Sequence, residues 1–190
     1  QTLKLDGNRW LTSTLPSSIG NLKQLQTLYL SWTSITGAIP DSIGDLKSLI
    51  DFEMGYTKLT DQLPESIGNL INLQKLYLTK NEYLHSTLPQ SMGNLSNLTS
   101  LNMGQNPYLT GTIPESFGNC INLTYIEFGS SGLNGSLPAN IGNLKKVYYF
   151  AISSNDLIGP LPDSIGDMEK LQDFYSYNNS FNGTISASFA

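Results

Sequence analysis

Apolar residues recur along the chain in one arrangement that repeats about every 24 residues. The second unit carries them at Leu25, Leu28, Leu30, Ile35, Ile39, Ile43 and Leu46. The spacing of Leu28 and Leu30 is the two-residue period of a β-strand. Because so short a unit cannot bury its apolar side alone, successive units are predicted to stack as coils around one continuous core.

Prolines and glycines mark the same period. Prolines preceded by Leu or Ile stand at Pro16, Pro40, Pro64, Pro89, Pro114, Pro138 and Pro162. Glycines fall in two columns, one containing Gly44 and Gly68 and the other containing Gly37 and Gly111, which predicts backbone turns. The acidic or amide residue and the serine that follow most of the prolines predict a short, capped helical turn.

A column of short polar residues follows each predicted strand. Its members are Asn8, Thr33, Thr57, Asn81, Asn106, Ser131, Asn155 and Asn179. These side chains are predicted to point toward the core and to bond with backbone groups of neighbouring coils, since buried polar groups need partners.

The unit at 28–46, LYLSWTSITGAIPDSIGDL, resembles the plant-type leucine-rich repeat, whose pattern is LxLxxNxLxGxIPxxIGxL. The resemblance covers essentially all 190 residues. It implies an α/β repeat solenoid: a right-handed superhelix of eight coils forming a single domain over 1–190, with a parallel β-sheet on the concave face and short 3-10 or helical turns on the convex face. Similar domains form the extracellular parts of plant receptor-like kinases and the polygalacturonase-inhibiting proteins.

Composition removes several classes of function. A formal net charge of −5 argues against a nucleic-acid partner, which requires clustered Lys and Arg. One histidine and one cysteine form neither a Cys/His zinc site nor an internal disulfide, so no metal and no cofactor is expected. Apolar stretches are too short to span a membrane. Family members often end in cysteine-paired caps, which are absent here, so further repeats or caps are expected to cover both ends.

The outward positions of the strands are predicted to form four rows across the concave face, with neighbours in a row about 4.8 Å apart. Row 1 is Thr2, Thr27, Asp51, Lys75, Ser100, Tyr125, Tyr149 and Asp173. Row 2 is Lys4, Tyr29, Glu53, Tyr77, Asn102, Glu127, Ala151 and Tyr175. Row 3 is Asp6, Ser31, Gly55, Thr79, Gly104, Gly129, Ser153 and Tyr177. Row 4 is Gly7, Trp32, Tyr56, Lys80, Gln105, Ser130, Ser154 and Asn178.

Row 3 contains only small residues from Ser31 to Ser153, and we call this stretch the lane. Aromatic residues in rows 2 and 4 flank it, which indicates a binding face for a protein, an extended peptide or a glycan. The alternative is that tyrosine coats the sheet because of its strand propensity. The candidate ligand-binding residues are Tyr29, Trp32, Asp51, Glu53, Tyr56, Lys75, Tyr77, Lys80, Tyr125, Glu127, Tyr149, Asp173 and Tyr175.

Charges on this face offer little catalytic chemistry. Asp51 and Lys75 occupy equivalent positions on adjacent strands, where they are expected to pair for roughly 0–1 kcal/mol. Asp51 and Glu53 form the type of carboxylate pair that hydrolyses glycosides, but they lie on an open sheet without a pocket. We therefore expect no enzymatic activity.

Asn-x-Ser/Thr sequons indicate an extracellular, glycosylated protein, secreted or on the cell surface. The candidate glycosylation sites are Asn94, Asn97, Asn122, Asn134, Asn178 and Asn182.

Single residues outside the rows have structural explanations. The aromatics Trp10, Tyr83 and Tyr108 precede a leucine in units with one extra residue and are expected to plug the resulting bulges, with Tyr83 and Tyr108 able to stack. His85 is expected at the surface, and Cys120 is expected to be buried at a position that other units fill with leucine.

The leading hypothesis is a non-catalytic extracellular recognition module. A scaffold segment of a larger assembly is the alternative, motivated by the uncapped ends. A more remote alternative is ice binding, because threonines such as Thr36, Thr60 and Thr87 share one edge, although residues such as Asp61 and Ile158 interrupt it.

Overall fold

The computed structural model describes residues 1–189 and contains eight short strands in one parallel sheet. Each strand is hydrogen-bonded to the strands of the coils before and after it, so we number the coils 1 to 8 by these strands. Their bounds are Thr2–Lys4, Thr27–Tyr29, Asp51–Glu53, Lys75–Tyr77, Ser100–Asn102, Tyr125–Glu127, Tyr149–Ala151 and Asp173–Tyr175.

The sheet keeps one register from coil 1 to coil 8. Tyr29 is aligned with Glu53, and Glu53 with Tyr77, as the repeat predicts. All members of rows 1 and 2 are aligned in this way. The middle residue of each strand points inward, and Leu28 and Ile126 are fully buried. The predicted solenoid with its concave sheet is therefore confirmed.

Rows 3 and 4 differ from the prediction, because each strand ends after three residues and both rows lie in the turn that follows. All row 4 residues have positive φ, from 53° to 60° in the seven that are not glycine. The N–H of Trp32 donates to the carbonyl of Gly55 at 3.0 Å, and equivalent bonds hold this turn in the next coils. These bonds stabilise a left-handed backbone that costs about 1 kcal/mol per residue.

A second set of short parallel strands lines one side of the solenoid. Five strands form one sheet: Ser86–Thr87, Leu109–Gly111, Gly132–Gly135, Asp156–Pro160 and Ser180–Asn182. Two more, Thr36–Gly37 and Lys58–Leu59, form a separate pair. The repeat pattern did not predict these strands. They carry the threonine edge, which is not uniform, since Lys58 aligns with Thr36 and Ile158 with Ser180.

The convex side consists of 3-10 helices, and no α-helix occurs within 1–189. They span Ser17–Asn21, Asp41–Asp45, Glu65–Asn69, Gln90–Asn94, Glu115–Asn119, Ile141–Asn143, Asp163–Asp167 and Ala187–Phe189. The first seven make no side-chain capping bond of their own, contrary to expectation. Instead, the Glu65 carboxylate accepts the N–H groups of Gln90 and Ser91 in the next coil at 3.2 and 3.0 Å. Hydrogen bonds from Ser91 lower the pKa of Glu65.

The predicted polar ladder is present inside the solenoid. Asn81 is fully buried, and its Nδ2 donates to the carbonyls of Met54 and Leu78 at 2.9 Å each. Its Oδ1 accepts the hydroxyl of Thr57. Asn106 repeats the arrangement with the carbonyls of Leu78 and Met103. The ladder thus ties adjacent coils together where their strands end.

Within residues 1–189, the first and last coils each pack against one neighbouring coil. As a result, inward residues such as Leu3, Leu11, Leu171 and Phe174 are only partly buried against the core. No helix described in the structure is long and apolar enough to cross a membrane.

Candidate ligand-binding face

Three tyrosines pack together on the concave face of coils 6 to 8. The rings of Tyr125 and Tyr149, neighbours in row 1, are stacked with centroids 4.7 Å apart and 7° between their planes. The ring of Tyr175, from row 2, is tilted by 51° against Tyr149 at 5.5 Å. Because the register places these rings on adjacent strands, they form one aromatic wall.

This wall borders a cavity of about 420 Å³ on the open face of the sheet. Small residues form its floor, among them Gly104, Gly129, Ala151 and Ser153. Other lining residues are Thr79, Asn102, Gln105, Tyr125, Glu127, Ser130, Tyr149, Tyr175 and Tyr177. The lane therefore leads into a recess over coils 4 to 8, walled by the tyrosines of coils 6 to 8.

Glu127 extends its carboxylate over the lane. Oε1 accepts the backbone N–H of Gly129 at 2.6 Å, and Oε2 accepts the hydroxyl of Tyr149 at 3.1 Å. Glycine leaves room for this rotamer, since a Cβ added to Gly104 or Gly129 would lie 3.1 or 2.8 Å from Oε1. The lane is thus not uniformly flat, since a fixed carboxylate crosses it at coils 5 and 6.

Tyr125 and Tyr149 remain neutral well into the alkaline range. Burial raises the pKa of Tyr149, and the nearby Glu127 carboxylate adds to the effect. The pKa of Tyr125 is raised for the same two reasons, with burial the larger. Both rings therefore present neutral faces and hydroxyl donors at physiological pH.

A second aromatic pair lies on the other half of the face. The rings of Trp32 and Tyr56 are stacked at 3.7 Å with 10° between their planes. The guanidinium of Arg9 lies 5.9 Å from the centroid of Trp32, within reach of a cation–π contact. These side chains line a cavity of about 430 Å³ together with Lys58, Lys80, Glu82 and Tyr83.

In rows 1 and 2 of coils 1 to 5, outside both cavities, several polar residues contact each other. The hydroxyl of Tyr29 donates to Oδ2 of Asp51 at 3.4 Å, and Lys4 Nζ lies 4.8 Å from the centroid of the Tyr29 ring. The hydroxyls of Tyr77 and Ser100 are 2.7 Å apart.

The expected pairing of Asp51 with Lys75 is wrong. Ion pairs within residues 1–189 join Lys23 to Asp45 at 3.2 Å and Lys145 to Glu169 at 2.7 Å, both well exposed. Burial, followed by the charge of Asp51, raises the pKa of Glu53.

The structure divides the predicted site residues into two groups. Tyr125, Glu127, Tyr149 and Tyr175 surround the first cavity, and Trp32, Tyr56 and Lys80 the second. The remaining candidates, Tyr29, Asp51, Glu53, Lys75, Tyr77 and Asp173, lie on the concave strands outside both linings. Sequence reasoning left Tyr177 and Arg9 out of the site. The sequence did contain a signal for Tyr177, because it is the one large residue at the end of row 3, directly after the small residues that end at Ser153.

Some residues outside the rows differ from expectation. Tyr108 stacks on His85 with centroids 4.4 Å apart, rather than on Tyr83. Trp10, 95% exposed, plugs no bulge. Cys120 is buried as predicted, and burial raises the pKa of its thiol to about 11.

The sequon asparagines lie at accessible positions, with five exposed and Asn122 half-buried. Their modification stays a prediction. Nδ2 of Asn97 and Nδ2 of Asn122 each donate to a carbonyl of the preceding coil at 2.8 Å. No cluster of His, Cys, Asp and Glu suited to a metal ion occurs within the described residues.

Family models agree with this architecture. The model of the leucine-rich repeat region matches residues 1–104, and the model of a single leucine-rich repeat matches residues 97–120. The chain therefore belongs to the leucine-rich repeat family, and its pattern is of the plant type. A search of curated proteins gave no match.

Solved structures of plant receptors are similar to the whole chain. The plant peptide hormone receptor RGFR1, solved with RGF2, is 40% identical with a TM-score of 0.96 and aligns with 99% of this chain and 30% of its own. The ectodomain of the receptor kinase GASSHO1/SCHENGEN3 from Arabidopsis thaliana, solved with CASPARIAN STRIP INTEGRITY FACTOR 2, is 30% identical with a TM-score of 0.89. The alignment covers 99% of this chain and 25% of the receptor chain.

A third structure contains a co-receptor. The Arabidopsis receptor kinase HAESA, solved with the peptide hormone IDA and the co-receptor SERK1, is 28% identical with a TM-score of 0.78, over 94% of this chain and 34% of the receptor. The chain thus spans about a third or less of the length of these receptors.

Proposed function

We propose that this chain is a non-catalytic recognition module that binds an extended peptide along its lane. The observation that carries the proposal is the continuous run of small row 3 residues from Ser31 to Ser153, with aromatic side chains on both flanks and a recess at one end. Such a surface offers rigid aromatic contact area around a floor that a main chain can approach closely.

The dimensions of the lane fit a short peptide. Six coils at about 4.8 Å spacing give a lane about 24 Å long, which accommodates about seven residues of extended chain at roughly 3.3 Å each. Backbone groups under the lane already have partners, as in the bond from Gly55 N–H to Ser31 Oγ at 3.1 Å. Ligand specificity is therefore expected to come from the flanking side chains.

A peptide fits better than a glycan. Sugar rings bind by stacking on open aromatic faces, but Trp32 and Tyr56 each use one ring face on the other. Tyr125 and Tyr149 do the same. The similarity to receptors solved with peptide hormones supports the same choice.

We also propose that the module works outside the cell, in a secreted or cell-surface protein. Support comes from the resemblance to plant receptor ectodomains and from the accessible sequon asparagines. In this setting glycans on the sequons outside the four rows leave the concave face available to the ligand, and only Asn178, the last residue of row 4, borders that face.

A displayed library of random linear peptides, panned against the chain, tests the proposal. Peptides that bind are expected to lose at least about tenfold in affinity when Trp32→Gly and Tyr77→Ala are combined, because each removes a large contact at the lane. Glycine at 32 preserves the left-handed backbone, so the variant should keep its fold.

Tyr148→Ala provides the matched control, since Tyr148 is exposed away from the lane and lines neither cavity of the face. The Tyr148→Ala variant should bind the selected peptides with the same affinity as the unmodified chain. The proposal is wrong if panning yields only peptides whose binding ignores the lane variant.

A further inference from the structure

The recess over coils 4 to 8 holds one carboxylate beside the three tyrosines of the aromatic wall, and we infer that it is a subsite for an arginine side chain of the ligand. The inference rests on the proposed function, because it assigns one residue of the peptide to one place on the lane. None of the described residues that line this recess carries a positive charge. The negative charge of Glu127 therefore lacks an ion-pair partner in the recess, and a cation of the ligand would supply one.

Row 2 carries a small residue beside Glu127. Glu127, Ala151 and Tyr175 are aligned on three adjacent strands. Alanine ends at Cβ, so row 2 carries no long side chain between Glu127 and Tyr175, and Ala151 itself is covered, with 3% of its surface exposed. A planar guanidinium bound in the recess would lie over this covered position, against the Glu127 carboxylate and the exposed Tyr175 ring.

The carboxylate has bonding capacity left. A carboxylate offers about four lone-pair positions, and Gly129 N–H and Tyr149 hydroxyl occupy two of them. The same two bonds fix its orientation, so little side-chain entropy is lost when a ligand binds. Arginine suits the subsite better than lysine, because its planar fork donates several hydrogen bonds and also stacks on tyrosine faces.

At the opposite end of the face, the chain itself places a cation over a tyrosine ring of row 2. Lys4 and Tyr29 are row 2 neighbours, and the Lys4 ammonium lies 4.8 Å from the centroid of the Tyr29 ring. Tyr175 is also in row 2, but its neighbour on the preceding strand is Ala151 in place of a lysine. The cation that coil 1 supplies at one end is therefore expected to come from the ligand at the other.

The test uses the peptide acetyl-Gly-Gly-Arg-Gly-Gly-amide and its counterparts with citrulline or lysine, titrated into ¹⁵N-labelled chain and followed by amide chemical shifts. Citrulline keeps the shape of arginine but has no charge. Saturable shifts are expected at Gly129, Ala151 and Ser153, with affinity for the citrulline peptide at least about tenfold weaker and for the lysine peptide weaker than for arginine. Equal affinity for arginine and citrulline, or for arginine and lysine, would overturn the assignment.

Two variants and a control complete the experiment. Glu127→Gln removes the charge and should weaken the arginine peptide to the level of citrulline. Ala151→Lys should reduce binding by bringing an internal cation into the recess. Glu169→Gln makes the same charge change at the exposed ion pair with Lys145 and should leave the affinity unchanged. An arginine affinity that neither Glu127→Gln nor Ala151→Lys reduces contradicts the subsite.

The two proposals fail in different ways. Library peptides that depend on Trp32 and Tyr77 but ignore Glu127 would support the lane and overturn the subsite. Binding of the arginine peptide through Glu127, without any library peptide that depends on the lane, would support the subsite and overturn the proposed function.

Discussion

At the scale of single residues, the sequence predicted the chemistry of inward positions better than that of outward ones. The asparagine ladder and the buried Cys120 followed from their places in the repeat, because an inward side chain has little choice of partner. Outward side chains have several possible hydrogen-bond partners. Tyr29 bonds to Asp51, and Glu127 turns back to Gly129, neither of which the spacing indicates.

Removing one rung of the ladder should destabilise the chain strongly. Asn81→Ala removes two buried hydrogen bonds, to the carbonyls of Met54 and Leu78, although Leu78 keeps its second donor, Asn106; the free energy of unfolding should fall by roughly 1 to 3 kcal/mol. Urea denaturation followed by circular dichroism measures the loss.

Asn97→Ala is the control, because Asn97 donates one similar bond at the surface, to the carbonyl of Ile71. Its cost should stay below about 1 kcal/mol, since water replaces the lost donor. Equal losses in the two variants would show that burial does not set the strength of the ladder.

At the scale of elements, the repeat predicted the concave strands and the convex turns but not how the turns are held. Acidic residues after the prolines were expected to cap their own helices, yet Glu65 caps the turn of the following coil. The side strands were also not predicted. Capping and side-strand pairing here join different coils, so a pattern within one coil contains no signal for them.

The glycine column sets how closely successive turns approach. A Cβ added to Gly20 would lie 2.6 Å from the carbonyl oxygen of Ser42, and one on Gly68 would overlap the carbonyl oxygen of Ser91. Gly68→Ala should therefore push two turns apart and lower the free energy of unfolding by about 1–3 kcal/mol. Thermal unfolding followed by calorimetry measures this change.

Asn69→Ala, next to it in the same 3-10 helix, is the control because Asn69 is exposed. Its effect should lie within about 0.5 kcal/mol of zero. If Gly68→Ala were as neutral as Asn69→Ala, close approach of the turns would not be the reason for glycine in this column.

At the scale of the whole molecule, a constant register turns a one-dimensional pattern into a binding face. Rows 1 and 2 were predictable in full, since residues one repeat apart are aligned on adjacent strands. The division of the face into two cavities was not predictable from the sequence, because it depends on stacked rings and on the Glu127 rotamer. Basic residues, including Arg9 and Lys80, line the cavity of the first coils, whereas Glu127 gives the other its charge. A peptide that fills the whole face is therefore expected to bind in one direction.

Hydroxyl-radical footprinting with a library-selected peptide tests most directly whether the concave face is the binding surface. The oxidation rates of Tyr125, Tyr149 and Tyr175 should fall severalfold on binding, since the ligand covers their exposed edges. The rates of Trp10 and Tyr148, which are exposed away from the lane, should not change. Protection of Trp10 and Tyr148 with unchanged oxidation of the three concave tyrosines would contradict the account.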